Sequence, residues 1–155
     1  MAAPAEETPW HAAFPAPRVT AASVSRVEVI GWIEGDERVA GRDFVLVDVR
    51  RADFEGGTIK GSLNFPAHSF YLTLPTVYAV LSAAGVKDVV FYCGSSRGRG
   101  PRTAGWLADY LESQGNTSMR ALVLEGGIKG WVAAGDKYTA LMNGYEASVW
   151  KSEQN

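Results

Sequence analysis

Three short, unbroken apolar runs constrain this chain more than any other feature. They are Phe44-Val-Leu-Val47 followed by Asp48, Val89-Val-Phe-Tyr92 followed by Cys93, and Ala121-Leu-Val-Leu124 followed by Glu125. A strand with one wet face alternates apolar and polar residues, so uninterrupted runs belong to strands covered on both faces. Helical patterns lie around and between them. Ser23 or Ser25 caps a helix that carries Val27, Ile30 and Ile33 on one face and stops near Gly35. Turns at Gly56-Gly57 and Gly61 precede a brief strand over 62–65, and a helix bearing Tyr78, Leu81 and Ala84 starts soon after Pro75 and ends at Gly85. Pro101 suits the first turn of another helix, with Trp106, Leu107, Tyr110 and Leu111 as its inner stripe. A short helix around Trp131 follows Gly126-Gly127, and a last amphipathic helix carries Tyr138, Leu141, Met142, Tyr145 and Val149. Buried strands alternating with helices predict an α/β domain around a mostly parallel sheet. Ligands of such sheets bind beyond the carboxyl ends of the strands, and Cys93 stands at one of those ends.

With 155 residues the chain has the size of one domain. Residues 1–18, with four prolines and two glutamates, read as a flexible N-terminal arm that Trp10 and Phe14 anchor; residues 19–155 form the domain. The arm lacks the basic start and apolar stretch of a secretory signal, and no run is long enough to span a membrane. A formal charge of −2 argues against nucleic acid as a partner. The single cysteine forms no internal disulfide, which fits a reducing compartment, cytoplasmic or nuclear. His11 and His68 are too isolated in sequence to predict a metal site.

That cysteine sits in CGSSRGRGPR, residues 93–102, among three arginines. Small residues from Gly94 through Ser95, Ser96 and Gly98 let successive amide N–H groups turn inward as an anion-binding nest. The helix that follows adds its positive N-terminal end. Arg99 offers two parallel donors to a tetrahedral oxyanion, and Arg97 adds a further cation. A helix end and neighbouring cations also favour thiolate over thiol, so anion cradle and nucleophile become one device. Cys-x5-Arg alone is a weak pattern; its place between a buried strand and a proline-started helix gives it weight. Asp48 and Arg50 read as a structural pair, because charges at buried strand ends usually pair.

The order of Asp48-Val-Arg50, Gly56-Gly-Thr-Ile-Lys-Gly-Ser-Leu-Asn-Phe-Pro66, the cysteine loop and Leu124-Glu-Gly-Gly-Ile-Lys-Gly-Trp131 resembles rhodanese-like domains over about residues 19–135. The resemblance implies a five-stranded, mostly parallel sheet flanked by helices. Sulfurtransferases of this superfamily typically have an active loop one residue shorter. The seven positions from Cys93 to Arg99 look like those of the cell-division-cycle dual-specificity phosphatases and the fungal arsenate reductases. Ser95-Ser96 and Arg99-Gly-Pro-Arg102 resemble the phosphatase loop, although Tyr92 replaces the histidine those phosphatases carry and the loop has no carboxylate. Thr58 stands where many rhodanese domains have histidine. Asp48, Asp53, Glu55 and Glu125 are the carboxylates on segments able to approach the loop.

The resemblance implies an enzyme acting on phosphate, arsenate or a thiosulfate-like anion, with Cys93 and Arg99 catalytic and Gly94 to Gly98 binding the substrate. A phosphatase of this branch takes a phosphoprotein. An arsenate reductase with one cysteine needs glutathione or glutaredoxin as external reductant, and neither reading requires a bound cofactor. Two further readings stand beside these: a sulfurtransferase carrying a Cys93 persulfide, and a non-catalytic module that uses the cradle to bind an anionic partner.

Overall fold

A computed structural model describes residues 8–153. In chain order the elements are β1 (Ala22–Val24), α1 (Arg26–Glu34), β2 (Phe44–Asp48), β3 (Thr58–Ile59), β4 (Ser62–Asn64), α2 (Ala67–Ala84) and β5 (Asp88–Tyr92). They continue with α3 (Arg99–Ser113), β6 (Arg120–Leu124), α4 (Gly127–Ala133), α5 (Asp136–Thr139), β7 (Met142–Asn143) and α6 (Ala147–Glu153). Five strands pair in parallel in the order β1-β6-β5-β2-β4, and β3 and β7 form a separate antiparallel ribbon. The three apolar runs are the three central strands. No helix among the described residues is long and apolar enough to cross a membrane.

Strand alternation divides the core in two. Val45, Val47, Val89, Phe91, Ala121 and Val123 face one side, where Phe70, Leu74 and Leu81 of α2 and Trp106, Leu107 and Leu111 of α3 cover them. Phe44, Leu46, Val90, Tyr92, Leu122 and Leu124 face the other, beneath Val29, Ile30, Ile128 and Trp131. Both faces are dry, which is why these strands carry no polar alternation.

Several elements depart from the sequence reading. The helix expected after Pro75 begins at Ala67, and Pro75 lies inside it. An interior proline costs about 3 kcal/mol. Phe70, Leu74 and Leu81 form one buried stripe through it, and each buried side chain returns about 1.5–3 kcal/mol, so burial outweighs the broken hydrogen bond. In α1, Ser25 caps the Glu28 amide as expected, but the inner face is Val29 and Ile30, and Val27 is 68% exposed. Val27 precedes Val29 by two positions, which places it across the helix. The single helix expected over 138–149 is instead α5, β7 and α6. Gly144, at φ 68°, turns the chain there, and Met142-Asn143 pairs with Thr58-Ile59 instead of continuing a helix. The reading also placed no strand at Ala22–Val24, which is three residues long and has only Val24 buried.

The described part of the N-terminal arm lies on α2 and α3. Phe14 packs against Tyr71 and Trp106, and the Trp106 indole donates to the Pro15 carbonyl at 2.8 Å. The Asp109 carboxylate accepts from the Arg18 and Val19 amides. Gly105 lets the arm come this close, since a Cβ there would stand 2.6 Å from Pro17. Trp10 meets Trp106 edge-on and stacks on His68 at 4.6 Å.

Burial first, and then the charges of Arg51 and Arg99, lower the His68 pKa below its ordinary 6.5. Its Nδ1 is shut from solvent without a hydrogen-bond partner. A folded-state pKa below the unfolded one means that the unfolded chain binds more protons as pH falls. The contribution of His68 is therefore complete above the unfolded value and is lost on acidification. Urea titrations between about pH 7.5 and 5.5 are expected to show falling stability, and His68→Phe, which keeps a ring against Trp10, to flatten that slope. An unchanged slope in the variant would remove His68 as its cause.

Candidate active site

The same alternation that divides the core aims the cysteine. Continuing Val89 and Phe91 by one more step puts Cys93 on the α2/α3 side, 3% exposed, just past the carboxyl end of β5. The chain then turns through Gly94–Gly98 into α3. The Gly100 amide, in the first turn of that helix, donates to Cys93 Sγ at 3.4 Å. Thiol and helix N-terminus therefore touch, and the positive end of the helix dipole falls on the sulfur.

A second helix holds the other side of the loop. The Ile128 and Lys129 amides donate to the carbonyls of Cys93 and Gly94 at 3.1 and 3.0 Å. In a trans peptide the N–H points opposite to the C=O, so pinning these carbonyls turns the Gly94 and Ser95 amides away from α4. This close approach requires Gly127. Its φ is 59°, and a Cβ there would lie 2.5 Å from Gly94 O and 2.6 Å from Cys93 O. Midway along the loop Ser96 takes φ 58°, left-handed for a residue with a side chain. Its hydroxyl is buried and meets no hydrogen-bond partner. A loop held in this way stores conformational strain, a feature that concentrates at functional sites.

A cavity of about 400 Å³ opens over the loop. Of the residues read from the sequence, Cys93, Gly94, Ser95, Gly98 and Arg99 line it, whereas Ser96 and Arg97 stand outside its lining. Six further walls had not been assigned to the site: Trp10 from the arm, Arg50 just after β2, Ile128 and Lys129 from α4, and Val149 and Trp150 from α6. Trp10 was read only as an anchor, and Lys129 only as part of a family motif. The α6 residues carried no signal, because the turn at Gly144 that brings them here is not written in their own periodicity.

The carboxylates separate by role. Asp48 is fully buried, and its oxygens accept from Arg50 Nε and Nη2 and from Thr58 Oγ1. The remaining Arg50 donors bind the carbonyls of Asp53, Glu55 and Gly57, so this pair ties down the loop that carries Asp53 and Glu55 to the cavity. Thr58 Oγ1 also meets the Tyr92 hydroxyl, which Ser62 and the Ile59 amide complete. Burial, followed by the charge of Asp48, raises the Tyr92 pKa far out of the working range. Tyr92 thus belongs to the opposite face of the sheet, with Asp48 and not with the thiol. Glu125, by contrast, is exposed and does not line the cavity.

Asp53 sits at the cavity and pairs with Arg99, its two oxygens accepting from Nη1 and Nη2 at 2.8 and 2.6 Å. Hydrogen bonds from Arg99 hold the carboxyl far below the ordinary range, against a smaller opposing effect of burial. The same guanidinium interacts with Cys93. Sulfur, guanidinium and carboxylate form one chain of contacts from the cavity floor outward. Cys93 is buried, Arg99 is 24% exposed and Asp53 50%.

Residues 33–134 match the family described as Rhodanese-like domain. A rice protein (Oryza sativa subsp. japonica) named arsenate reductase 2.1 is 34% identical over 116 residues, 72% of this chain and 68% of its own length. A CDC25-like phosphatase of Saccharomyces cerevisiae is 27% identical over 133 residues, covering 80% of this chain and 90% of that protein. Among solved structures, a yeast protein described as a homologue of single-domain rhodanese and the CDC25 phosphatase catalytic domain superposes with a TM-score of 0.67. It is 25% identical and covers 84% of this chain and 91% of its own. The As-Sb reductase of Leishmania major shares the fold, with a TM-score of 0.71, 22% identity, and coverage of 79% of this chain and 84% of its own.

Proposed function

From its place in the rhodanese-like domain family, to which the chain belongs, and from the cradle at the end of β5, we propose that it is a cysteine-dependent phosphatase acting on a phosphate monoester. One observation carries the reading: the only cysteine lies against the N-terminus of α3, whose first residue is Arg99, on the floor of a cavity lined by Gly94, Ser95 and Gly98. Cys93 Sγ attacks phosphorus in line with the ester oxygen, the P–O bond breaks as the S–P bond forms, and water then releases inorganic phosphate from the phosphocysteine. Arg99 and the loop amides stabilise the charge spread over the transferring oxygens. The cavity is far larger than a bare oxyanion, and two tryptophans stand in its walls, which favours an ester with an organic group and admits a phosphorylated protein side chain.

Arsenate reduction is the second reading, supported by the similarity to a rice arsenate reductase. Cys93 forms the thiol–arsenate adduct, and because this chain has one cysteine, glutathione or glutaredoxin supplies the resolving thiol. A sulfurtransferase reading is weaker, since the loop is one residue longer than is typical of that branch.

One panel decides among them: aryl phosphate, arsenate with glutathione and glutaredoxin, and thiosulfate with cyanide, each measured by turnover. Hydrolysis of the aryl phosphate is the expected result. Turnover of arsenate alone transfers the assignment to the second reading. A mass gain of one sulfur on Cys93 after thiosulfate, with no phosphatase activity, overturns both.

A further inference from the structure

The Arg99–Asp53 pair raises a difficulty for any oxyanion that enters the cradle. Both terminal nitrogens of Arg99 are turned onto Asp53, yet a phosphate seated over Cys93 requires those same parallel donors. We propose that substrate displaces Asp53 from Arg99, and that the released Asp53 carboxyl becomes the proton donor to the departing ester oxygen. The inference rests on the phosphatase reading and assigns that reaction a further catalytic residue.

Three observations support it. The pair is exposed enough for exchange to cost little, because ion pairs in contact with water contribute little net stability. The position is right: Cys93 forms the floor of the cavity, so a group leaving in line with the sulfur departs toward the mouth, where Asp53 stands half-exposed. The charge also moves the right way. Without its guanidinium partner and facing the negative phosphoryl group, the carboxyl has its pKa driven upward by like charge, and it takes a proton from solvent. While paired with Arg99 it is held ionised. The same anion that needs an acid thereby creates one.

The step balances. As the S–P bond forms and the ester P–O bond breaks, the proton on Asp53 passes to the ester oxygen and leaves a carboxylate. In the second half that carboxylate takes a proton from the attacking water, the new P–O bond forms, and the S–P bond breaks to return the Cys93 thiolate. After phosphate departs, Asp53 gives its proton to solvent and pairs with Arg99 again.

Glu55 also lines the cavity and is the rival acid. The test compares wild type, Asp53→Asn, Asp53→Glu and Glu55→Gln on two esters, with inorganic phosphate as a competitive ligand. One ester is p-nitrophenyl phosphate, whose leaving group departs unprotonated. The other is phenyl phosphate, whose phenol is about as weak an acid as a tyrosine side chain, pKa about 10. Asp53→Asn is expected to lower kcat on phenyl phosphate by about 100-fold or more and on nitrophenyl phosphate by less than about tenfold. Asp53→Glu is expected to restore part of that loss. Asp53→Asn is also expected to bind inorganic phosphate about tenfold more tightly, since one competing charge-assisted pair is gone. Equal losses on both esters, an unchanged phosphate affinity, or a leaving-group dependence that follows Glu55→Gln would each overturn the proposal. Wild-type protein that hydrolyses neither ester defeats the phosphatase reading and Asp53 as an acid with it; the phosphate-affinity arm still reports whether the exchange occurs.

Discussion

Cys93→Ser is expected to lose turnover by about 10⁴-fold or more while remaining folded, the scale on which removal of a covalent nucleophile is felt. A serine hydroxyl at this position is a far weaker nucleophile than a thiolate, and the groups that meet the sulfur, the Gly100 amide and Arg99, are both donors and not bases that could activate it. The packing argument runs the other way. Serine is nearly isosteric, it is buried where the Gly100 amide can still donate to it, and the carbonyls of Cys93 and Gly94 keep their bonds to α4. Cradle and Arg99 therefore survive, and the variant should still bind inorganic phosphate. Activity against a panel of oxyanion substrates, beside phosphate affinity by calorimetry, checks both halves. Full activity in the variant would leave Cys93 no covalent role, and loss of phosphate binding would mean that the sulfur shapes the cradle as well as attacking from it.

Asp48→Ala is expected to cost about 3–5 kcal/mol, a large share of the roughly 5–15 kcal/mol that holds a domain of this size together. Asp48 and Arg50 are 0% and 2% exposed, so truncation leaves a buried guanidinium facing the hole. Thr58 and Tyr92 lose part of their network at the same time. At about 2–4 °C per kcal/mol the thermal midpoint should fall by roughly 6–20 °C. Asp53→Ala makes the contrast. It also removes a carboxylate from an arginine, but from a pair in contact with water, whose loss should cost no more than about 1 kcal/mol. The two Asp–Arg pairs should thus separate cleanly, one setting stability and the other activity. Similar midpoints for the two variants would show that burial does not distinguish them.

The strands were legible because their signal is local. Phe44–Asp48, Asp88–Tyr92 and Arg120–Leu124 carry both faces of their burial in a few consecutive residues, and the cysteine loop follows one of them without a gap. Helix ends were less legible. Pro75 reads as a beginning, since proline favours the first turn, and only the stripe of Phe70, Leu74 and Leu81 against the sheet shows that the helix runs through it. The apolar spacing over 138–149 reads as one helix because a 3.6-residue pattern takes no account of Gly144 or of the pairing with Thr58–Ile59.

The site divides in the same way. A thiol after a buried strand, small residues that free the backbone, an arginine six positions on and a helix start are neighbours in the chain, so the sequence by itself determined the loop around Cys93 that we propose as an anion cradle. Tertiary structure decided what surrounds that cradle. Gly127 brings α4 against the Cys93 carbonyl, Trp10 and Trp150 come from opposite ends of the chain to wall the cavity, and Asp53 reaches across 46 positions to take Arg99. Contacts of that kind leave no periodicity and no spacing in the residues that make them. They arise only when sheet order and loop closure bring distant segments to one end of β5, and they determine which carboxylate faces the cavity and which remains buried as structure.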